Sequence, residues 1–255
     1  MTILGTRGEI EASAPYHARH SGILIDDTLL FDLGEKEFLD YNPSYIFITH
    51  LHPDHAYFVR SGTSIPETNA IIYAPENYSA STKKGKQKTT PDHQETVVKI
   101  FPGKLRWHGY TISAIPTEHS LKVKSQAYLI EKNGKRVLYT GDLFWIDKKY
   151  HNRLGNLDLV ITEGSYLKKG GMIRRSKLPT DDEAKSQLSQ PFGHTGIPNL
   201  LQLFAPHTKQ IALMHFGTWF YTDGARKAHA ELKNLGKQYG IEVIAGYDGL
   251  QIQVS

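Results

Sequence analysis

The sequence contains no cysteine, and this absence limits the chemistry available to its 255 residues. Without thiols the chain can form no disulfide bond and can offer no thiolate ligand to a metal ion. Any transition-metal site must therefore be built from histidine nitrogens and carboxylate oxygens. Histidine is plentiful, with 13 residues in the chain, so these remaining donors are well represented.

Long apolar runs are also lacking. No stretch of the sequence is long and apolar enough to cross a bilayer, and residues 1–10 lack the apolar core of a signal peptide. We therefore expect a cytoplasmic protein with no membrane partner. Hydrophobic residues make up 39% and charged residues 22% of the chain, as in globular proteins, and the net charge of +4 suits an anionic substrate. With no repeat or linker, residues 1–255 are expected to form a single domain.

Short apolar stretches separated by turn residues predict a fold rich in β-strands. A helical turn is also expected within residues 50–60. The predicted strands span residues 23–25, 29–32, 45–49, 70–74, 97–101, 110–115, 127–131, 136–140, 157–162, 210–214, 242–245 and 250–254.

Two longer helices are predicted towards the end of the chain. The first spans residues 195–204 and has Thr195 as its capping residue. The second spans residues 223–239, has Asp223 as its cap and ends at Gly240. Together with the strands, these helices predict an α+β fold of two β-rich halves packed face to face, with the helices outside.

A dense set of ligand residues follows one of the predicted strands, in the segment His50-Leu51-His52-Pro53-Asp54-His55. Side chains two positions apart in an extended segment point the same way, so His50 and His52 can bind one metal ion. Asp54 and His55 lie beyond the next turn, where they can reach a second ion. The alternative is a polar loop with solvated histidines, but this spacing favours a metal site.

Three further candidate ligands end apolar stretches: His119, Asp142 and His215. A polar residue at the end of a strand is placed at the edge of a packed sheet. Taken alone, each of the three is better explained as a structural polar residue at such an edge. Together they complete the number of ligands that two metal ions require.

The order of these residues, HxHxDH followed by His, Asp and His, resembles the metallo-β-lactamase superfamily. Within it the chain is most similar to the ribonuclease Z branch. The similarity covers nearly the whole chain and includes residues 4–8 (LGTRG), 30–35 (LFDLGE), 163–166 (EGSY), 193–195 (GHT) and 215–217 (HFG). It implies the metallo-β-lactamase fold, a four-layer αββα sandwich.

The resemblance also implies a role for each ligand. The first metal ion would be bound by His50, His52 and His119, and the second by Asp54, His55 and His215, with Asp142 bridging the two. An all-nitrogen and oxygen set suits zinc, with manganese or iron as alternatives. Asp32 and Thr49 are expected behind the ligands, where Asp32 would fix a metal-bound histidine or Thr49 itself. A turn-capping role is the alternative for Asp32.

The expected reaction is hydrolysis of a phosphodiester by a hydroxide that the two metal ions generate. Asp54 would orient that hydroxide. His194 precedes the predicted helix at 195–204, whose N-terminus favours a phosphate, and would give a proton to the leaving group. Glu163 would hydrogen-bond the other ring nitrogen of His194, and the matching pair in the ribonuclease Z branch implies catalysis. A helix-capping role is the alternative for His194.

Weaker candidates surround this set. Substrate phosphate contacts are predicted at Arg174, Arg175, Gly193 and Thr195, and a basic run at 83–88 is either another such contact or merely solvated. Further candidates at the pocket are His17 or His20, and the aromatic residues Trp219, Phe220 and Tyr221, which can stack on a base or belong to the core. The expected partners are a phosphodiester substrate, as RNA, DNA or a cyclic nucleotide, and a second copy in a homodimer.

The sequence also departs from the ribonuclease Z branch. Gly217 replaces a serine, Trp219-Phe220 replaces Arg-Tyr, and a long Gly/Pro-rich insertion is missing, so tRNA processing is not implied. An acyl hydrolase (lactonase, β-lactamase or thioesterase) on the same fold is the alternative function. A nucleic-acid-binding scaffold without metal is a further alternative, which the complete ligand set disfavours.

Overall fold

A computed structural model describes residues 1–79, 96–168, 193–222 and 224–254 of the chain. Within this part, the first sheet has seven strands in the order β1-β2-β3-β4-β5-β7-β6. Its central strands β3, β4, β5 and β7 run parallel. The strands are β1 (Thr2–Gly5), β2 (Gly22–Ile25), β3 (Leu29–Phe31), β4 (Tyr45–Phe47), β5 (Ile71–Ala74), β6 (Tyr78–Ser79) and β7 (Thr96–Ile100).

The second sheet of the described chain also has seven strands, in the order β14-β13-β12-β11-β10-β9-β8. Strands β8 to β11 form an antiparallel meander, whereas β11 to β14 are parallel. The strands are β8 (Lys104–Trp107), β9 (Tyr110–Thr117), β10 (Ser125–Lys132), β11 (Lys135–Tyr139), β12 (Leu159–Gly164), β13 (Gln210–Phe216) and β14 (Glu242–Ala245).

The helices of the described residues are α1 (His151–Leu154), α2 (Ile197–Phe204), α3 (Thr218–Thr222) and α4 (Ala225–Tyr239). Short 3-10 turns lie at Lys36–Tyr41, Tyr57–Val59 and Lys148–Tyr150. The second of these turns is the helical turn predicted after the histidine-rich segment. Among the described helices, none combines the length and the apolarity that a membrane crossing requires.

The two sheets pack face to face through an aromatic core. Phe31 and Phe47 stack at 5.0 Å between ring centroids, and Tyr128 meets both rings edge-on. The outer face of the second sheet is covered by α2 and α4, whose apolar residues form one core with that sheet. The outer face of the first sheet is covered, in the described residues, by the two 3-10 turns that contribute Phe38 and Phe58. The predicted sandwich of two β-rich halves is confirmed, with a thinner outer layer on the first sheet.

Most predicted strands are present, shifted by one or two residues at their ends. The strand predicted over 250–254 is wrong, because Gln251 forms only an isolated bridge with Thr2. Strands β1, β6 and β8 were not predicted, and β8 is an edge strand on which Lys104 and Arg106 point to solvent and weaken the apolar signal.

The helix ends differ in one respect from the predicted caps. Thr195 does not cap α2, which begins after Gly196; its hydroxyl accepts a hydrogen bond from the Asn199 side chain at 2.9 Å instead. The predicted end of α4 is confirmed, since Gly240 adopts the left-handed conformation with φ of 65°. Asp223, the predicted cap of this helix, lies outside the described residues.

Candidate metal centre

The predicted ligands meet at one edge of the sandwich because parallel strands end there in both sheets. His50 follows β4, which runs between parallel neighbours in the first sheet. Asp142 follows β11, and His215 lies near the end of β13, in the parallel part of the second sheet. Strand ends that share a direction bring their following residues to the same place. The two sheets therefore contribute opposite walls of a single site.

The first cluster consists of His50, His52, His119 and Asp142. Nδ1 of His52 lies 3.0 Å from Nε2 of His50 and 3.2 Å from Nε2 of His119. Both of those Nε2 atoms are 3.6 Å from Oδ2 of Asp142. Donors around one tetrahedral zinc ion are separated by about 3.3 Å, given metal–nitrogen bonds of about 2.0–2.1 Å. The spacing of these four side chains matches that arrangement.

The second cluster consists of Asp54, His55, Asp142 and His215. Nε2 of His215 lies 2.8 Å from Oδ2 of Asp54 and 3.2 Å from Oδ1 of Asp142. Nε2 of His55 lies 3.0 Å from the same Oδ1 atom. Asp142 is thus shared, since it presents Oδ2 to the first cluster and Oδ1 to the second. This is the bridging position that the family resemblance implies for it.

Two atoms of the second cluster require a partner that the polypeptide does not supply. Nε2 of His55 and Oδ1 of Asp142 are buried, and neither makes a hydrogen bond although they are close together. A buried polar atom without a partner is costly, so such pairs are rare in folded proteins. A cation between the two atoms satisfies both. The residues present therefore fit a bound metal ion.

Asp32 and Thr49 lie directly behind two of the candidate ligands. Oδ2 of Asp32 accepts hydrogen bonds from Nδ1 of His55 at 2.6 Å and from the Thr49 hydroxyl at 2.9 Å. The same hydroxyl lies 3.1 Å from Nδ1 of His50. Both imidazoles are thereby held with Nε2 towards the clusters. Tyr139 was not among the predicted residues, although its hydroxyl donates to Asp32 at 2.6 Å. A tyrosine in a buried strand needs a hydrogen-bond acceptor, and this need was the available sign of such a contact.

The two remaining Nε2 ligands are held in the same way by other groups. Nδ1 of His119 lies 3.1 Å from the carbonyl oxygen of Gly193, and Nδ1 of His215 lies 2.9 Å from the hydroxyl oxygen of Ser165. Gly193 was predicted to contact substrate, and in the structure its carbonyl oxygen lies behind a candidate ligand. The register shift between β12 and β13 places Ser165 beside His215. Sequence reasoning gave Ser165 no role.

Burial and neighbouring charges set the protonation of the clusters. Burial, together with the nearby imidazoles, lowers the pKa of His50 far below its usual value and that of His119 to about 3. These rings are therefore neutral, as metal ligands must be. Burial also disfavours charge on His55, but Asp142 and Asp32 overcome that effect and raise its pKa. The excess of carboxylates around His55 is the environment in which a cation is stabilised.

Glu163 and His194 form a pair beside the two clusters. Nδ1 of His194 donates to Oε2 of Glu163 at 2.6 Å, and Oε1 of Glu163 accepts from the backbone N–H of Leu143 at 2.6 Å. Nε2 of His194 faces Oδ2 of Asp142 at 3.8 Å. Burial opposes charge on His194, but Glu163 and Asp142 raise its pKa to about 9. The glutamate thus fixes both the orientation and the charge of the imidazole.

An open cavity of about 810 Å³ leads to these residues. His52, Asp54, His119, Asp142, His194 and His215 lie at its floor, and its walls are Gly8, Glu9, Ile10, Pro53, residues 165–168 and residues 217–219. Thr195, a predicted substrate contact, does not line the cavity, and its buried side chain accepts a hydrogen bond from Asn199. Arg174, Arg175 and the basic run at 83–88 lie outside the described residues.

The other candidates near the pocket have structural surroundings. His17 packs against the rings of Phe216 and Phe220, and His20 lies 2.7 Å from a Glu35 oxygen, so neither histidine lines the cavity. Phe220 is a core residue, stacked on Phe216 with centroids 4.0 Å apart. Of the three aromatic residues predicted either to contact a base or to belong to the core, Trp219 lines the cavity.

Gly217, which departs from the ribonuclease Z pattern, has a packing explanation. A Cβ atom at this position would overlap the carbonyl oxygen of Ser165. The chain therefore approaches Ser165 more closely here than a serine at 217 permits.

Comparisons with known proteins agree on one family. A sequence model described as a beta-lactamase superfamily domain matches residues 39–216. Similar solved structures include the metallo-beta-lactamase fold protein YhfI from Bacillus subtilis (20% identity, TM-score 0.61, 98% of this chain and 96% of that chain) and the short form of human tRNase Z (17% identity, TM-score 0.56, 100% of both chains). A diphosphatase of the PhnP family is also similar (12% identity, TM-score 0.57, 98% of this chain and 94% of that chain).

No curated protein sequence matches the chain. The family match covers the histidine-rich segment and every other candidate ligand, and the two-sheet architecture is the one that these solved structures share. The chain belongs to the beta-lactamase superfamily and is a metal-dependent hydrolase with the metallo-β-lactamase fold.

Proposed function

We propose that the protein hydrolyses phosphodiester bonds with two zinc ions bound in the two clusters. The observation that carries this proposal is the Glu163–His194 pair, whose free Nε2 atom faces Asp142 at 3.8 Å. Hydrolysis of a phosphodiester expels one of its alcohol groups as an alkoxide, which needs a proton. A histidine held by a carboxylate supplies that proton. Thioester hydrolysis releases a thiolate, which has no comparable need.

When bound, two divalent ions make a coordinated water acidic enough to attack at neutral pH, and they neutralise the charge of the phosphate. The residues that would hold one ion are His50, His52 and His119, and those that would hold the other are Asp54, His55 and His215, with Asp142 shared between them. Nitrogen and oxygen donors suit zinc best, with manganese and iron as alternatives.

The chain's own residues position the reactants. Asp54 lines the cavity, and despite its burial His55 and His215 keep its pKa low, so it is a carboxylate that can accept a hydrogen bond from the attacking water. His194 carries the proton at Nε2 that passes to the leaving oxygen. Glu163 balances the charge of the imidazolium before that transfer. The attacking and departing groups are thus served by different side chains, Asp54 in the turn after β4 and His194 in the segment before α2.

The cavity itself supports a phosphate-containing substrate. Its volume of about 810 Å³ is in the range of sites for small molecules, and Lys168 contributes an exposed cation to its wall. Two of the similar structures, a tRNase Z and a diphosphatase of the PhnP family, bear names of enzymes that act on phosphate-containing substrates. RNA, DNA and cyclic nucleotides are the candidate substrates.

A substrate panel on protein of measured metal content tests the proposal. It compares bis(p-nitrophenyl) phosphate, single-stranded RNA and DNA, cyclic nucleotides, a cephalosporin and a lactone. We expect turnover of phosphodiesters that is lost on chelation and restored by zinc. Turnover of the cephalosporin or the lactone alone would replace the proposal with acyl hydrolysis.

The role of His194 is tested by substitution. His194→Ala should lower kcat for a phosphodiester by about 10²- to 10⁴-fold and leave the metal content unchanged. His207→Ala is the matched control, because Nδ1 of His207 also hydrogen-bonds an oxygen, the Gly155 carbonyl, but His207 lies outside the cavity. Equal rates for the two variants would exclude His194 as the proton donor.

A further inference from the structure

Tyr166 is an aromatic residue held at the edge of the cavity with much of its ring in solvent. It follows β12 and lines the cavity, and 48% of its surface is exposed. Its backbone is fixed, since its carbonyl oxygen accepts a hydrogen bond from Ile197 at 2.9 Å and the residue forms a bridge with Gly196. The ring therefore stands on a rigid support rather than on a free loop.

The Tyr166 ring lies next to the proposed proton donor. Its centroid is 6.0 Å from that of His194, and the two planes are inclined by 54°. His194 delivers its proton to the leaving oxygen, so the group that departs with this oxygen lies beside Tyr166. A flat substituent on the leaving group can stack on the exposed ring at ordinary distances between aromatic groups.

The other aromatic side chains near the last ligand are engaged within the protein. The Trp219 indole donates to the Gly164 carbonyl at 2.8 Å, and the Tyr221 hydroxyl donates to the His17 carbonyl at 3.2 Å. Within the described residues the Tyr166 hydroxyl forms no hydrogen bond, so no polar contact explains why the ring is exposed at the cavity. Ile10 and Leu167 extend the apolar wall around the same cavity.

We infer that Tyr166 stacks on the nucleobase of the leaving group, so that the substrate is a nucleoside phosphodiester. This inference rests on the proposed phosphodiesterase function and adds Tyr166 to it as a residue that determines substrate specificity. A stacked base contributes roughly 5- to 150-fold in affinity. Because every base has a flat face, such stacking favours nucleotides over phosphodiesters of simple alcohols and does not select a base sequence.

Calorimetric titration of the zinc-loaded protein tests the inference without turnover. The probes are adenosine 5′-monophosphate and ribose 5-phosphate, which differ only in the base. We expect the nucleotide to bind wild-type protein at least about 5-fold more tightly than the sugar phosphate. Tyr166→Ala should abolish this difference and leave the Kd of ribose 5-phosphate unchanged, whereas Tyr166→Phe should retain it.

Tyr247→Ala is the matched control, because Tyr247 is 41% exposed and does not line the cavity. It should keep the preference for the nucleotide. Equal binding of the two probes by wild-type protein would overturn the role of Tyr166 and leave the phosphodiesterase proposal standing. Weakening of both probes by the same factor in Tyr166→Ala would also overturn it. Failure of both probes to bind the wild type would contradict the phosphodiesterase proposal itself.

Discussion

The hydroxyl oxygen of Ser165 lies 2.9 Å from Nδ1 of His215, a proposed ligand of the second metal ion. The same hydroxyl donates to the backbone carbonyl of His215 at 3.2 Å, so its oxygen is free to accept the Nδ1 proton. That hydrogen bond leaves Nε2 unprotonated where it faces Asp54 and Asp142. Ser165 therefore sets the tautomer in which His215 would bind a metal ion.

Replacing Ser165 tests this relationship. Ser165→Ala should weaken binding of one of the two metal ions by about 10- to 100-fold, because the His215 ring loses the group that orients it. Ser165→Thr keeps the hydroxyl and should bind metal like the wild type. Competition with a zinc chelator measures both affinities. Equal affinities in the alanine and threonine variants would show that the hydroxyl does not orient the ligand.

Glu163→Gln should separate catalysis from metal binding. Glutamine still offers an oxygen to the Leu143 backbone N–H, but it no longer balances a positive charge on His194. We expect kcat for a phosphodiester to fall by about 10²-fold or more, with zinc stoichiometry and KM little changed. Steady-state kinetics and metal analysis of the same preparation provide the test. A full rate in this variant would remove the carboxylate from the mechanism.

Gly217→Ser, which introduces the residue of the ribonuclease Z pattern, should destabilise the protein. The new Cβ would overlap the Ser165 carbonyl oxygen, so the two strand ends must separate. Crowding of this kind costs about 1–3 kcal/mol in the free energy of unfolding. Urea unfolding at a fixed zinc concentration measures the change. A variant as stable as the wild type would show that the close approach to Ser165 is not required.

His17 should make the protein less stable in mild acid. Burial lowers its pKa from the ordinary value of 6.5, an effect that Asp248 opposes and His229 reinforces. The unfolded chain then binds the proton more readily, so this contribution to stability is complete above pH 6.5 and is lost as the pH falls below it. The difference in unfolding free energy between wild type and His17→Gln should shrink from about pH 8 to about pH 5. An equal difference at both pH values would contradict the assignment.

The candidate metal ligands could be predicted from the sequence, whereas most of the groups that hydrogen-bond and orient them could not. His50, Asp142 and His215 were recognisable because ligand residues at strand ends follow a family order. Gly193 and Ser165 were not, because a carbonyl or a hydroxyl acts through a spatial neighbour that no local pattern reveals. The same limit explains the missed Tyr139, which meets Asp32 across 107 positions of the chain.

Among the elements, the apolar pattern located the buried strands well, because their side chains pack into the apolar cores on the faces of the sheets. It failed for β8, where polar residues alternate along an edge, and for residues 250–254, where apolar side chains pack without a regular ladder. The cap of α2 was misassigned because Thr195 is polar and precedes the helix, but its hydroxyl turns to Asn199 instead of the first N–H groups.

The separation of the ligands along the chain also bears on the order of assembly. Asp54 and His215 meet across 161 positions, Asp54 from the turn after β4 of the first sheet and His215 from β13 of the second. During synthesis the second cluster cannot close until β13 has emerged and joined its sheet. Completion of the second cluster is therefore a late event that reports assembly of the whole sandwich, whereas all four residues of the first cluster precede β13 in the chain.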